Sequence, residues 1–231
     1  KMKQDSPKLA GLSEAQRNLA LEKVKEALLL NKEVIFLENK KDMEAAEEMG
    51  IAPAVKKRLK FDEHKLMDVV NGISELIKLP DPLGKVQLAR QLDEGLNLYR
   101  VIGIIFEARP DALVQISSLC LKSGNCAILK GGKETVRTNK ILFDIIYKAA
   151  TSAGVPEGCM LQAEQHNEID ELLSCHESVD LLIPRGSNSF VQYIMNHTKI
   201  PVMGHADGVC HIYVDKEYDK KKAIPVIVDA K

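Results

Sequence analysis

No stretch of this 231-residue chain stays apolar for the roughly 18–20 residues that a membrane-spanning helix needs. Its opening, Lys1-Met2-Lys3-Gln4-Asp5, has no apolar core behind it and does not read as a secretory signal. The chain starts on Lys1 rather than methionine, so its start is expected to have been cut or to lie outside the sequence. Neither sign of charge dominates: 32 Lys and Arg oppose 33 Asp and Glu, for a net charge of −1. The basic excess that marks a nucleic-acid partner is missing. There is no CxxC pair and no zinc-ligand spacing, so no metal site is expected. The cysteines Cys120, Cys126, Cys159, Cys175 and Cys210 make an odd set of 5, which favours reduced thiols and a cytoplasmic setting. Neither GxGxxG nor a Walker sequence occurs.

What is present is ordinary for a globular protein. Hydrophobic residues make up 45% and charged residues 28%, enough apolar material for one large domain or two small ones. Residues 1–98 read as a charged helical segment rich in Leu, Ala, Glu and Lys. Ser13 with Gln16 forms a capping-box signature, and Leu19, Leu21, Val24, Ala27, Leu28 and Leu30 follow on one broad face. A second helix is expected over Asn39–Glu48, stopping at Gly50. A third is expected from near Asp62, where Leu66, Val69, Val70, Ile73, Leu76 and Ile77 recur at helical spacing. "LPDPLG", Leu79 to Gly84, breaks that pattern as a turn.

Residues 99–231 have a different grammar. Strands are expected at Val101–Phe106, Cys126–Leu129, Met160–Ala163, Val179–Ile183 and Cys210–Val214. Helices are expected at Asp111–Lys122, Glu134–Ala153, Ser187–Asn196 and Lys216–Val228. Strands alternating with helices imply βαβ units and a mostly parallel sheet. Buried parallel strands are apolar on both faces, as "AILK" and "DLLIP" are. The expectation is an α/β fold with residues 1–98 packed on the sheet. All five cysteines are expected to be buried structural thiols.

Two corners carry candidate chemistry. Ligands of open α/β sheets bind beyond the carboxyl ends of the strands. Lys130-Gly131-Gly132-Lys133 sits at such an end and opens the next helix. Glycines admit a close approach to backbone, lysines attract phosphate, and the helix start adds free N–H groups. A glycine turn flanked by solvated lysines fits the same four residues. A second corner, Pro184-Arg185-Gly186-Ser187, repeats the grammar. Arg185 could hold an anion and Gly186 permit close approach, while Ser187 caps the helix or bonds a phosphate.

These corners, with "IIFEARPDALVQ" and "IPVMGHADGVCHIYVD", resemble the gamma-glutamyl phosphate reductases of the aldehyde dehydrogenase superfamily. The same family forms the second half of pyrroline-5-carboxylate synthase. The resemblance also covers the amino-terminal part, through "ENKKDMEAAEEMG" and "LPDPLGKV". It implies a three-layer, Rossmann-like parallel sheet of aldehyde dehydrogenase type. It implies NADPH-dependent reduction of L-glutamyl 5-phosphate to L-glutamate 5-semialdehyde and phosphate, in proline biosynthesis. In that chemistry a cysteine thiolate displaces phosphate and hydride reduces the thioester. It further implies glutamate kinase as a candidate partner and a homo-oligomer at full length; a stand-alone reductase is favoured over a fusion to the kinase.

Residue by residue, Lys130 matches a lysine that touches the adenosine ribose. Lys133 falls where NAD-preferring relatives often carry a glutamate for the ribose hydroxyls. An ammonium there attracts a 2′-phosphate that a carboxylate repels, so NADP(H) is expected over NAD(H). Arg185, Gly186 and Ser187 match the turn near the pyrophosphate and nicotinamide. Arg109 lies near the superfamily's oxyanion asparagine, placed to bind the acyl phosphate or its oxyanion; a structural ion pair to Glu107 or Asp111 is the competing role. The stretch Val202 to Asp207 lacks the glutamate with which hydrolytic relatives activate water, as suits a reductase. His205 is a candidate substrate or phosphate contact, or a structural histidine.

Two departures stand out. The nucleophilic cysteine of the family is expected beyond Lys231, and none of the five cysteines takes its place. A proline-glycine segment usual before "IGIIFEARPD" is missing, since Arg100 runs directly into Val101-Ile102. The alternative to an active reductase is therefore a catalytically inactive NADP-binding fragment or pseudoenzyme.

Overall fold

The computed structural model describes residues 1–83, 101–164, 168–204 and 211–230. Five helices come first: α1 (Met2–Ala10), α2 (Glu14–Leu30), α3 (Lys32–Glu48), α4 (Pro53–Leu59) and α5 (Glu63–Lys78). The α/β part follows as β1 (Val101–Ile105), α6 (Pro110–Lys122), β2 (Cys126–Lys130), α7 (Val136–Ser152), β3 (Met160–Ala163), α8 (Glu168–Ser174), β4 (Leu181–Pro184), α9 (Asn188–Asn196) and α10 (Lys220–Ala230).

The capping box forms as expected. The Gln16 amide donates to Ser13 Oγ at 3.3 Å and the Ser13 amide donates to Gln16 Oε1 at 2.9 Å, satisfying two otherwise orphaned N–H groups. Asp62 caps α5 by accepting from the Lys65 amide at 3.1 Å. Helix α3 starts at Lys32, well before the expected Asn39, because Asn31 ends α2 and begins α3 in a single bend.

All strand pairs are parallel, in the order β3-β2-β1-β4. The chain steps outward from β1 to β3 and then returns to β4 on the other side of β1. Right-handed crossovers therefore put α6 and α7 on one face and α8 on the other, which makes the three layers. Gly103 of β1 allows the close packing on the α8 face: a Cβ there would collide with Leu182 and meet Leu172 of α8 at 3.5 Å. Strand β4 begins at Leu181 rather than Val179. The Asp180 carboxylate takes the Val101 amide at 2.9 Å, so a side chain occupies the position of a ladder bond. Residues 211–214 correct a further expectation: they form no strand, and Ile212, Tyr213 and Val214 are 50%, 86% and 39% exposed. An alternating apolar run becomes a strand only where a neighbour accepts its hydrogen bonds, and no described strand pairs with it. The remaining edge of β4 instead meets Val202, with Leu182 donating to the Pro201 carbonyl at 2.9 Å.

One apolar cluster runs from Leu9, Leu21, Leu28 and Ile73 through Val101, Leu113, Leu129 and Ile146. Helix α2 packs on α7 and α5, α3 on α7, and α5 on α6. Buried polar side chains fix how these helices seat. Arg17, 1% exposed, bonds the Lys122 carbonyl at 3.1 Å, the Leu12 carbonyl and, at 2.6 Å, the Asp81 carboxylate. Asp42 of α3 accepts from Thr138 N and Oγ1 at 2.8 and 2.7 Å, and so caps α7 from another helix.

Candidate functional site

Strand register gathers the candidate residues. Ile105 pairs with both Lys130 and Pro184, and Lys130 pairs with Ala163, so these strands end in line. The segments Phe106–Arg109, Gly131–Glu134 and Arg185–Ser187 thus emerge on one edge of the sheet. The strand order reverses between β1 and β4, and such a reversal opens a crevice where ligands bind.

Two cavities line that edge. The first, of about 370 Å³, is walled by Lys130, Gly131, Gly132 and Lys133, with Glu107, Glu134 and Glu164. Lys130 is only 5% exposed; it donates to the Gly131 carbonyl at 3.0 Å, and burial lowers its pKa. Lys133 is exposed and makes no ion pair among the described residues. Two of the carboxylates are engaged elsewhere: Glu134 accepts from the Ala108 amide at 2.6 Å and Glu164 pairs with Lys140 at 2.5 Å. The Glu134 bond ties the β2 corner to the β1 corner and holds Ala108 at φ 47°, the left-handed region a side chain seldom adopts.

A Cβ at Gly131 would overlap the Asn139 amide and reach the Phe106 ring at 3.5 Å, so the glycine makes room for these side chains beneath the corner. The buried Asn139 Oδ1 beside it has no hydrogen-bond partner among the described residues.

The second cavity, of about 650 Å³, lies at the β1/β4 reversal and is walled by Arg58, Arg109, Arg185, Gly186, Ser187 and Glu107, among others. Arg109 pairs with the buried Asp111 at 3.2 Å, the competing role foreseen for it, while keeping 55% of its side chain exposed. Lys65 shares the same carboxylate at 3.3 Å. Arg185 is exposed, with its backbone amide held by the Ile105 carbonyl at 2.7 Å. Ser187 takes the capping option: its Oγ accepts from the Phe190 amide at 3.3 Å. Gly186 lies against the Phe190 ring and the Glu107 carboxyl.

Glu107 is exposed as a residue, yet partial burial of its carboxyl, and then the nearby Glu134, raise its pKa. The fold therefore favours the protonated form. Folding stability falls as pH rises through the ordinary carboxylate range toward the raised value, and stays lower above it. Glu107→Gln should be more stable than the parent at pH 8, with the difference fading below about pH 4. Urea midpoints at the two pH values check this; an unchanged gap would show that the strain is not electrostatic.

No described cysteine lines either cavity. Burial pushes the thiols of Cys120, Cys126 and Cys159 up to about 12, which removes the thiolate at neutral pH. Cys175 corrects the expectation of burial: it is exposed after α8, where the chain turns back before β4. Cys210 and His205 lie outside the described residues.

A model of the aldehyde dehydrogenase family matches residues 113–231, half of the chain and both corners. The chain belongs to the aldehyde dehydrogenase family. Its curated relatives include gamma-glutamyl phosphate reductases. The one from Ruminiclostridium cellulolyticum is 50% identical over 232 residues, covering 98% of this chain and 54% of that protein. The chain spans about half the length of the curated relatives it matches. Crystal structures of gamma-glutamyl phosphate reductase from Thermotoga maritima and Saccharomyces cerevisiae give TM-scores of 0.85 and 0.79 at 29% and 40% identity. Each covers 99% of this chain, and 57% and 60% of those chains respectively.

The sequence points to neither Glu134 nor Arg58, although they line the two cavities with the residues of the corners. Glu134 follows Lys133 directly, and its turn inward to Ala108 depends on a loop 26 residues away. Arg58 sits on α4, a short helix whose only local signal was Pro53 at its start.

Proposed function

We propose that this chain binds NADP(H) and forms the cofactor-binding part of a site that reduces L-glutamyl 5-phosphate to L-glutamate 5-semialdehyde and phosphate, in proline biosynthesis. The observation that carries this reading is the gathering of Lys130–Lys133 and Arg185–Ser187 on one sheet edge across the β1/β4 reversal. Residues 99–231 serve as the cofactor-binding unit, and residues 1–98 as the helical support packed on it.

When bound, NADPH supplies the hydride. Lys133 attracts the 2′-phosphate and Lys130 bonds the adenosine ribose, while Gly131 and Gly132 line the same corner. The Arg185-Gly186-Ser187 turn and the start of α9 receive the pyrophosphate side. Arg109 holds the acyl phosphate by a guanidinium fork and stabilises charge that develops on its oxygens. Glutamate kinase as a partner, a homo-oligomer and a cytoplasmic setting belong to the same proposal and rest on the resemblance and the unpaired cysteines.

The test is phosphate-dependent reduction of NADP by L-glutamate 5-semialdehyde, on the polypeptide that carries this chain. Arg109→Lys should lower turnover by roughly tenfold or more, since a point charge replaces a planar fork. Full turnover and substrate affinity in that variant would withdraw the role. NADPH binding without any turnover in the parent would favour an inactive NADP-binding module.

A further inference from the structure

The second cavity brings together residues from three distant parts of the chain. Arg109 follows β1 and Arg185 follows β4, but Arg58 comes from α4 in the amino-terminal helical segment. Glu107 is the one carboxylate among the residues that line this cavity. Arg58 and Arg185 make no ion pair among the described residues, and Arg109 shares Asp111 with Lys65. The cavity therefore carries an excess of guanidinium charge at the position where open α/β sheets bind ligands.

Arg58 is also held in place. Asn39, 4% exposed, donates to the Leu59 carbonyl at 2.8 Å and accepts from the Phe61 amide at 2.8 Å. These bonds fix the backbone just after Arg58 and so set where α4 ends. The neighbouring Lys56 is paired with Glu47 at 3.3 Å, whereas Arg58 faces the cavity. A lone arginine at a helix end would merely complement the helix dipole. Arg58 and Arg109 lining one cavity, the first delivered by a separate helical segment, match a tetrahedral dianion with several acceptor oxygens.

We infer that Arg58 is a substrate-binding residue that grips the phosphoryl group of an acyl phosphate together with Arg109, while Arg185 stays on the cofactor's pyrophosphate side. This rests on the function proposed above, and it gives the amino-terminal segment a direct share in specificity. A carboxylic ester or free aldehyde would present too little negative charge to engage both guanidiniums.

The probes are acetyl phosphate, inorganic phosphate and NADP, titrated into the polypeptide that carries this chain and followed by calorimetry and amide chemical shifts. Arg58→Gln should weaken acetyl phosphate by roughly tenfold or more, with NADP affinity unchanged. Arg58→Lys should recover part of the loss. Arg58 is exposed and bonds nothing among the described residues that its replacement would orphan, so both variants should keep the parental circular dichroism and urea midpoint. Unchanged acetyl phosphate affinity in Arg58→Gln would overturn the inference. An equal loss for NADP would overturn it too, by assigning Arg58 to the cofactor's pyrophosphate. If the parent binds NADP but neither acetyl phosphate nor phosphate, the inference fails while the cofactor reading stands. If it binds none of them, the proposed function fails as well.

Discussion

Replacing Lys133 with glutamate should weaken NADPH binding by roughly a hundredfold and NADH binding by only a few-fold. The two cofactors differ by one 2′-phosphate, so the difference isolates the charge at this position. In the parent, Lys133 is exposed on the wall of the first cavity and no described carboxylate neutralises it. Glu134 is turned toward the Ala108 amide and Glu164 toward Lys140. The variant removes an attraction and adds a repulsion against the same phosphate. Because the side chain is exposed, salt should shrink the effect, and the NADPH loss should be smaller at 1 M salt than at low salt, since the Debye length falls to about 3 Å. Fluorescence titration of both cofactors is the measurement. Equal losses for NADPH and NADH would mean that Lys133 supports the corner's backbone rather than reading the phosphate.

Asp42→Ala should lower folding stability by about 2–4 kcal/mol. Asp42 is 3% exposed and accepts from the Thr138 amide, the Thr138 hydroxyl and, at 3.3 Å, the Arg137 amide. These groups belong to the first turn of α7, where N–H groups have no partner within the helix. Alanine would leave them unpaired in a site that water does not easily reach, and a cavity would replace the carboxylate. The denaturant midpoint should fall with little change in slope. Asp42→Asn keeps one acceptor oxygen and should lose clearly less. Helix α7 begins directly after the Lys130–Lys133 corner, so Asp42→Ala should also weaken NADPH. A stability change below about 0.5 kcal/mol, the range of ordinary surface substitutions, would show that the cap is dispensable.

Much of this architecture is local chemistry, and local chemistry is legible. Ser13 and Gln16 satisfy each other's amides within one turn, so the start of α2 needs no partner from elsewhere. The buried runs Val101–Ile105 and 126–129 are apolar on both faces, which only a covered parallel sheet can satisfy. Short helices behaved otherwise. Helices α4 and α8 each have 7 residues, below the length at which a helix holds itself. Buried contacts made after folding hold them: Leu59 of α4 and Leu172 and Leu173 of α8 enter the interior. The run 211–214 failed in the opposite direction, having strand chemistry but no described neighbour to pair with.

The sequence by itself determined the α/β alternation, the parallel sheet and the two basic glycine corners. Each depends on residues within a few positions of one another, where propensity and turn chemistry act directly. Tertiary structure alone decided which charges share a cavity. Register brought Arg109 and Arg185 to one edge, and the Asn39 bonds to Leu59 and Phe61 set Arg58 beside them. It also decided that Glu134 faces Ala108, that Ser187 caps α9 and that Cys175 lies in solvent. Those outcomes turn on distances between segments far apart in the chain, and only the packing of the common core sets such distances.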